Sequence, residues 1–373
     1  MNGFFRNNNN KGVNEQDIDK ISYNSYVSID NTNEKNEKQK LTRDTILVFF
    51  TIILGQILSM LSVSSHHLCF NLLLQKINTP CFFYSIFYLL FGLIWLCVNK
   101  CSYSKPKNYY FLLLIVESQG LYTKILSISY FAFDYIFLFY FLFSIWTFIL
   151  KFILIKKYKY NLNHYVAIAV SFLGGIITII GIFNETNKQM FYNFVAKNVY
   201  GLIFIILSSI ISAISIILQE NLFQSGQEIY DYFAFSGPII GLILFIESFI
   251  TSEIHNFSFN YFTLGSIFYL LGFLVINMIF HSVIPFFIKH NTAVMFSFTL
   301  LCNVFYLYCI QLLFFDREEN EMWYYIGGVL LNLFGIIFYG KYKSVKVSKD
   351  DLNIEQQFDK KEGLIPLESS TNN

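Results

Sequence analysis

Two residues of opposite charge interrupt one long apolar stretch, Glu117 and Lys124 in YFLLLIVESQGLYTKILSISY. A seven-residue interval is close to two helical turns, so both side chains return to one helix face about 10.5 Å apart along the axis. They share a face without forming a direct ion pair. If the stretch crosses a bilayer, each charge costs about 2.5–3.5 kcal/mol on insertion scales and needs a partner or a wet cavity. Glu117, near the centre, cannot snorkel far; its readings are a solvated ligand or coupling role, or structural hydrogen bonding. Lys124 can either charge a solute path or reach the nearest interface. Lys289, after Pro285 and before His290 and Asn291, has the same two readings at the end of another apolar stretch. His66 and His67 read as interfacial, with a proton role as the alternative, and Asp134 and Glu247 read as helix-end residues.

Small polar residues form a second pattern. Gly55, Ser59, Ser62 and His66 are spaced 4, 3, 4, and Ser208, Ser212, Ser215 and Gln219 repeat that spacing. Each set makes a stripe down one helix face. Such stripes either allow close helix packing or line a path, and both readings stand for these serines. Gly174, Gly175, Gly327, Gly328 and Gly335 read as packing residues, because their stretches carry no charge.

The elements that must position these residues follow from composition. Of 373 residues, 55% are hydrophobic and 14% charged, with 44 Phe and 26 Tyr. Soluble domains carry about 25% charged residues, so this balance and a mean hydropathy of +0.49 point to lipid as the solvent. Ten apolar segments are long enough to span a hydrocarbon core of about 30 Å, near 45–70, 80–98, 109–129, 133–155, 163–183, 198–218, 232–251, 264–287, 292–315 and 322–340. Polar tails over 1–44 and 341–373 read as disordered. An even count puts both tails on one side, and Lys100, Lys105, Lys107, Lys156, Lys157, Lys159 and Lys341 mark that side as cytosolic. The sequons at Asn184 and Asn256 then fall in loops of the far side.

Several classes are excluded. A net charge of +1 and three arginines, all outside the apolar segments, give no nucleic-acid surface. The six cysteines form no CxxC pair, so neither zinc nor a disulfide framework is expected, and no cofactor is expected either. No P-loop, kinase, HExxH or nucleophile-elbow motif occurs, which argues against an enzyme and against ATP-driven pumping.

The halves 45–183 and 198–340 correspond. The serine stripes pair the first segment with the sixth, and Tyr165 with Gly175-Ile-Ile pairs with Tyr325 and Gly335-Ile-Ile at one offset of 160 (165 to 325, 175 to 335). A repeat of five spans enters the membrane in opposite directions in its two copies. The sequence therefore predicts an all-α membrane protein of ten helices in a five-plus-five inverted repeat, the architecture of secondary transporters.

From about residue 45 to 340 the chain also resembles solute carrier family 35, subfamily F, in the drug/metabolite transporter superfamily. The matching stretches are Gly55-Gln56-Ile-Leu-Ser, Ile77-Asn78-Thr79-Pro80, Val116-Glu117 with Lys124, Tyr158-Lys159, Gln219-Glu220 after the sixth segment, Pro285-x-x-Ile288-Lys289, Ser297 and Leu300-Leu301. The resemblance implies the same ten-helix fold with a central cavity, cytosolic tails and the fifth and tenth helices at the periphery. Two positions depart from the family: Val304 stands where members carry an acidic residue, with Asn303 beside it, and the fourth segment lacks a mid-helix Asp. Together these readings predict a transporter of a small polar metabolite, nucleotide-, nucleoside- or nucleotide-sugar-like, working by alternating access in an endomembrane or the plasma membrane. The path would be lined by Gln56, Ser59, Ser62, Glu117, Lys124, Ser212, Ser215, Lys289, Ser297 and Asn303. The peripheral helices are a candidate homodimer surface. The alternative class is a non-transporting receptor or scaffold.

Overall fold

The computed structural model describes residues 46–68, 79–99, 110–130, 136–154, 158–159, 161–185, 199–253, 263–314, 322–341 and 345–346. Apart from the last pair, the two polar tails lie outside the described residues, as do Asp134 and Asn256. The chain divides into two units, Met1–Phe50 and Thr51–Asn373. Of the first, the described residues are the opening turn of a helix, with Ile46, Leu47, Phe49 and Phe50 exposed. The second holds the rest of the fold.

The elements are α1 (Ile46–Leu68), α2 (Pro80–Val98), α3 (Tyr110–Tyr130), α4 (Ile136–Leu154), β1 (Tyr158–Lys159), α5 (Leu162–Glu185), α6 (Val199–Gln224), α7 (Ile229–Ile250), α8 (Leu264–His290), α9 (Ala293–Leu301), α10 (Asn303–Phe314), α11 (Met322–Lys341) and β2 (Val345–Lys346). Ten spans long and apolar enough to cross a membrane are present among the described residues, the ninth being α9 continued into α10. In lipid every backbone polar group must be satisfied internally, by helices or by a closed barrel, and apolar segments of 18 or more residues select the helix, which bonds within its own segment.

Local sequence sets the helix ends. Pro80 occupies the first turn of α2, where its missing N–H costs nothing. Thr263 and Thr292 cap α8 and α9 by accepting from the N–H groups of Ser266 and Met295, each at 3.2 Å. The sixth helix runs to Gln224 rather than ending near 218, so Gln219 and Glu220 lie inside it. It stops at Gly226, whose φ of +90° favours a residue without Cβ, and the Gln227 N–H returns to the Leu222 carbonyl at 3.4 Å. The ninth segment, expected as one helix, tightens at Cys302, whose N–H bonds the Thr299 carbonyl at 3.2 Å. Within the C-terminal tail, Val345 and Lys346 pair antiparallel with Lys159 and Tyr158.

Helix packing follows the small residues. The crossing of α2 with α7 is closed by Gly92 and Gly237; a Cβ at Gly92 would lie 2.7 Å from the Pro238 nitrogen. The other tight crossing, α5 with α11, is closed by Gly174, Gly328 and Gly335. Here a Cβ at Gly174 would meet Asn332 and Gly328, and one at Gly335 would meet Ser171 and Ala167. These contacts exchange if 167, 171 and 174 correspond to 328, 332 and 335, a shift of 161 (335 − 174). On that register Gly174, rather than Gly175, would be the counterpart of Gly335. Gly175 instead faces Phe141 of α4, and a Cβ at Gly327 would meet nothing within 4 Å.

The sixth helix packs on α3 and α4. The first packs on the eighth and ninth spans: Gly55 faces Phe287 and Thr299, and Ser65 donates to Asn277 at 2.8 Å. The ninth span is the innermost: every residue from Ala293 to Leu301 is buried, whereas the eighth exposes Leu264, Phe268, Leu271, Val275 and Ile279. The outer faces of α5 and α11 carry exposed Leu173, Ile176, Ile180, Leu330, Phe334 and Ile337, an apolar surface suited to lipid.

Candidate functional site

A cavity of about 150 Å³ lies at the centre of the helices, walled by side chains from the first four spans and from the sixth to the ninth. Neither α5 nor α11 contributes to it. Of the residues expected on a solute path, Ser62, Glu117, Lys124, Ser212 and Ser215 line it. Ser62 and Ser215 are corresponding positions of the two stripes, so both halves present the same face to one space.

The charged pair of α3 is directed to two different neighbours. Glu117 accepts a hydrogen bond from the Tyr232 hydroxyl of α7, and the Gln219 amide of α6 interacts with the same carboxylate. Tyr232 is itself buried and fixed from α3, since the Tyr110 hydroxyl donates to its carbonyl at 3.1 Å. Two turns along the helix, the Lys124 ammonium sits 4.4 Å from the Phe139 ring centroid and 5.1 Å from that of Tyr140, both on α4. Such contacts stabilise a partly desolvated cation by about 0.5–2 kcal/mol. Among the described lining residues, Glu117 and Lys124 carry the formal charges, and no arginine is present. His281 of α8 completes the polar wall through the Tyr88 hydroxyl, 3.3 Å from Nδ1.

Behind the wall, Ser59 and Asn303 join a buried cluster. Ser59 donates to the Asn303 Oδ1, the Asn303 Nδ2 donates to Ser62 at 3.2 Å, and Ser62 pairs with the Tyr140 hydroxyl at 2.7 Å. Tyr140 also contacts the His66 Nδ1 at 2.9 Å. His66 is therefore a core residue rather than an interfacial one, held by its helix on the face turned to α4. Gln56 extends the cluster, donating to the Cys302 sulfur at 3.4 Å and accepting from the Tyr306 hydroxyl at 3.1 Å. Asn303 thus fills a polar role beside the apolar Val304. Ser297 lies elsewhere, between α4 and α9, where the Ser144 hydroxyl donates to its carbonyl at 2.8 Å. Lys289 is exposed in the last turn of α8, outside the cavity lining. Glu247 is in the last turn of α7, bonded to Gln119.

Sequence reasoning missed Tyr232, Tyr140 and His281, whose types do not stand out in a chain this rich in aromatics. It also missed one buried ion pair. Lys151 of α4 donates to both oxygens of Glu220 of α6 at 2.7 and 2.8 Å, with 1% and 0% of the side chains exposed. Glu220 further accepts from the Ala293 N–H, at the start of α9, and from Gln224, each at 2.9 Å. The signal was a lysine one turn inside the fourth segment, masked by the lysine run that follows it.

Ten spans, eight of them walling a central cavity that holds one acidic and one basic side chain and two set apart from it, fit a multi-span membrane protein of the transporter type. The chain belongs to solute carrier family 35 (SLC35F), whose family model matches residues 43–341, and its ten helices fit the drug/metabolite transporter fold. That is a transporter family and not an enzyme family. A comparison with curated proteins gave no match.

Proposed function

We propose that this protein moves a small polar metabolite across a membrane by alternating access, as a secondary or facilitative carrier with both tails in the cytosol. The observation that carries the reading is the central cavity, which takes matched serines, Ser62 and Ser215, from the two halves and encloses Glu117 and Lys124. Buried charge of that kind is maintained only where it is used or compensated. The exchange of contacts between α5 and α11, and the parallel packing of the first helix on the eighth and ninth spans and of the sixth on the third and fourth, support an inverted repeat. Such a repeat supplies two packings related by symmetry, one open to each side.

The test is access from the two sides. Single cysteines at Ser62 and Ser215, on a background without other cysteines, are labelled with a membrane-impermeant reagent in oriented vesicles. Alternating access predicts that each is reached from both sides in turn and that occupancy of the cavity protects both. Labelling from one side only, unchanged by any solute, overturns the reading and leaves a receptor or scaffold. The lysine-rich flanks support an endomembrane or plasma-membrane orientation with cytosolic tails.

A further inference from the structure

We propose that Glu117 is a proton-binding site and that each transport cycle carries a proton across the membrane on its carboxylate. This rests on the transport reading and names what drives it.

Glu117 is half-buried in the middle of α3, on the cavity wall. Its carboxylate accepts from the Tyr232 hydroxyl of α7 and meets the Gln219 amide of α6. Among the described residues it makes no ion pair, while Lys124 stands over the α4 rings. A carboxylate held in a membrane without a counter-ion needs water or a neutralising proton.

Both partners suit either protonation state. A hydroxyl donates to a carboxylate and accepts from a carboxylic acid, and a carboxamide offers an N–H on one side and a carbonyl on the other. Glu117 can therefore gain or lose a proton without stranding a polar group, whereas the O–H of the acid would find no acceptor on a lysine or arginine. A metal ion is the competing occupant. Among the described residues no group of three acidic, histidine or cysteine side chains is placed to hold one.

The same contacts join the two halves of the chain, since α3 lies in the first and α6 and α7 in the second. Ionised, Glu117 holds α6 and α7 by charge-assisted bonds, which are roughly twice as strong as the neutral ones left after protonation. A proton thus changes how firmly the halves are tied, and a ligand that interacts differently with two packings shifts their populations. The proton leaves water at one mouth, rides on a carboxylate oxygen and returns to water at the other, so the step needs no further reactant.

The titratable groups around the carboxylate are Tyr88 of α2, Tyr110 of α3 and Tyr232 of α7, with Asp231 of α7 acting on Tyr110. Lys124 of α3 and His281 of α8 stand on the same wall, and α6 brings Ser212, Ser215 and Gln219, which do not titrate.

The experiment uses the purified full chain in liposomes of one orientation, with Ser62→Cys as a single reporter on a background without other cysteines. Ser62 lies on α1 and bonds to Tyr140 and Asn303, away from the bonds of the carboxylate. The ratio of labelling from the two sides by a membrane-impermeant reagent is followed from about pH 4 to about pH 8, with the same pH on both sides. Taking the ratio cancels the pH dependence of the thiol itself. With Glu117 present, the ratio should change at least about threefold along a one-site titration, and in Glu117→Gln it should be flat. Tyr232→Phe removes one donor and keeps the carboxyl, so it should move the midpoint by at least about half a pH unit, which keeps the test decisive if Glu117→Gln does not fold. Four results overturn the inference while transport stands: two-sided labelling with a flat ratio, a response retained in Glu117→Gln or unmoved in Tyr232→Phe, a response lost instead in His281→Gln or His66→Gln, and a response to sodium at constant pH in place of one to protons. Labelling from one side only at every pH overturns transport itself.

Discussion

Breaking the Lys151–Glu220 pair should cost more stability than removing both of its members. Both side chains are almost wholly enclosed, and the ammonium contacts both carboxylate oxygens at hydrogen-bond distance. Removing one partner of such a pair typically costs about 3–5 kcal/mol, since a charge is left in a low dielectric, whereas apolar replacement of both is near neutral. The two single variants should differ. Lys151→Met leaves Glu220 with the Ala293 N–H and Gln224 as donors, and the start of α9 favours a carboxylate, so its cost belongs near the lower end. Glu220→Leu takes the acceptor from Lys151, Gln224 and Ala293 at once and belongs near the upper end.

At about 2 °C per kcal/mol for a chain of this size, the single variants should melt roughly 6–10 °C lower in detergent, and Lys151→Met/Glu220→Leu within about 3 °C of wild type. Because the pair ties α4, α6 and the start of α9, each single variant should also raise labelling of Ser215→Cys from the side where α4 ends. Two results refute the reasoning. One is a single variant within about 1 °C of wild type; the other is a double variant that loses the sum of both single effects.

Four further outcomes are expected. Tags at residues 2 and 373 should both be reached by antibody after selective permeabilisation of the plasma membrane; protection of one alone contradicts the even span count, and protection of both contradicts the cytosolic orientation. Glu117→Gln should lower transport at least about tenfold while the protein reaches its membrane at normal levels, and Lys289→Ala, at an exposed position, should leave transport within about twofold of wild type. Gly174→Leu should lower the melting temperature by several degrees, because a Cβ there already lies 2.8 Å from the Asn332 nitrogen, while Gly327→Ala should be neutral. Glu253, past the end of α7, accepts from the Phe82 N–H at 3.1 Å, yet burial outweighs that bond and pushes its carboxyl above the usual carboxylate range. Its contribution is then fully present below the unfolded value and is lost as pH rises through the folded one, so the melting advantage of wild type over Glu253→Gln should shrink as pH rises above the usual carboxylate range.

Span number, approximate span limits and the central place of Glu117 were legible in the sequence, because hydropathy over about 19 residues is a property of the chain alone. Helix ends were less so. The extension of α6 to Gln224 follows from burial of Glu220 against Lys151, a contact 69 residues apart in sequence that no local window contains. The serine stripes were correctly read as faces, but their two meanings separated only in three dimensions. Ser62, Ser212 and Ser215 line the cavity, whereas Ser208 is buried and bonded to the Ile205 carbonyl of its own helix. The one-residue slip between Gly175 and Gly174 has a similar cause. Sequence matching aligned identical tripeptides, and packing aligned the residues that let two backbones approach.

On the transport reading, the two polar clusters explain how one fold could close at either side. One joins Ser59, Ser62 and His66 of the first span to Tyr140 of the fourth and Asn303 of the ninth. The other joins Glu220 of the sixth to Lys151 of the fourth and Ala293 of the ninth. The fourth and ninth spans are common to both, and the first and sixth exchange places. Both clusters occupy the later part of α1 or α6, and those two spans cross in opposite directions, so the clusters fall towards opposite faces. The chemistry differs between them: neutral hydrogen bonds of about 1 kcal/mol each on one side, a desolvated ion pair at a helix start on the other. An ion pair is harder to open than a set of neutral bonds, because separating it leaves two charges that must each be rehydrated. The mouth guarded by Lys151 and Glu220 should therefore be the slower of the two to open, and neutralising that pair should speed the return step of the cycle more than any change in the Ser62 cluster.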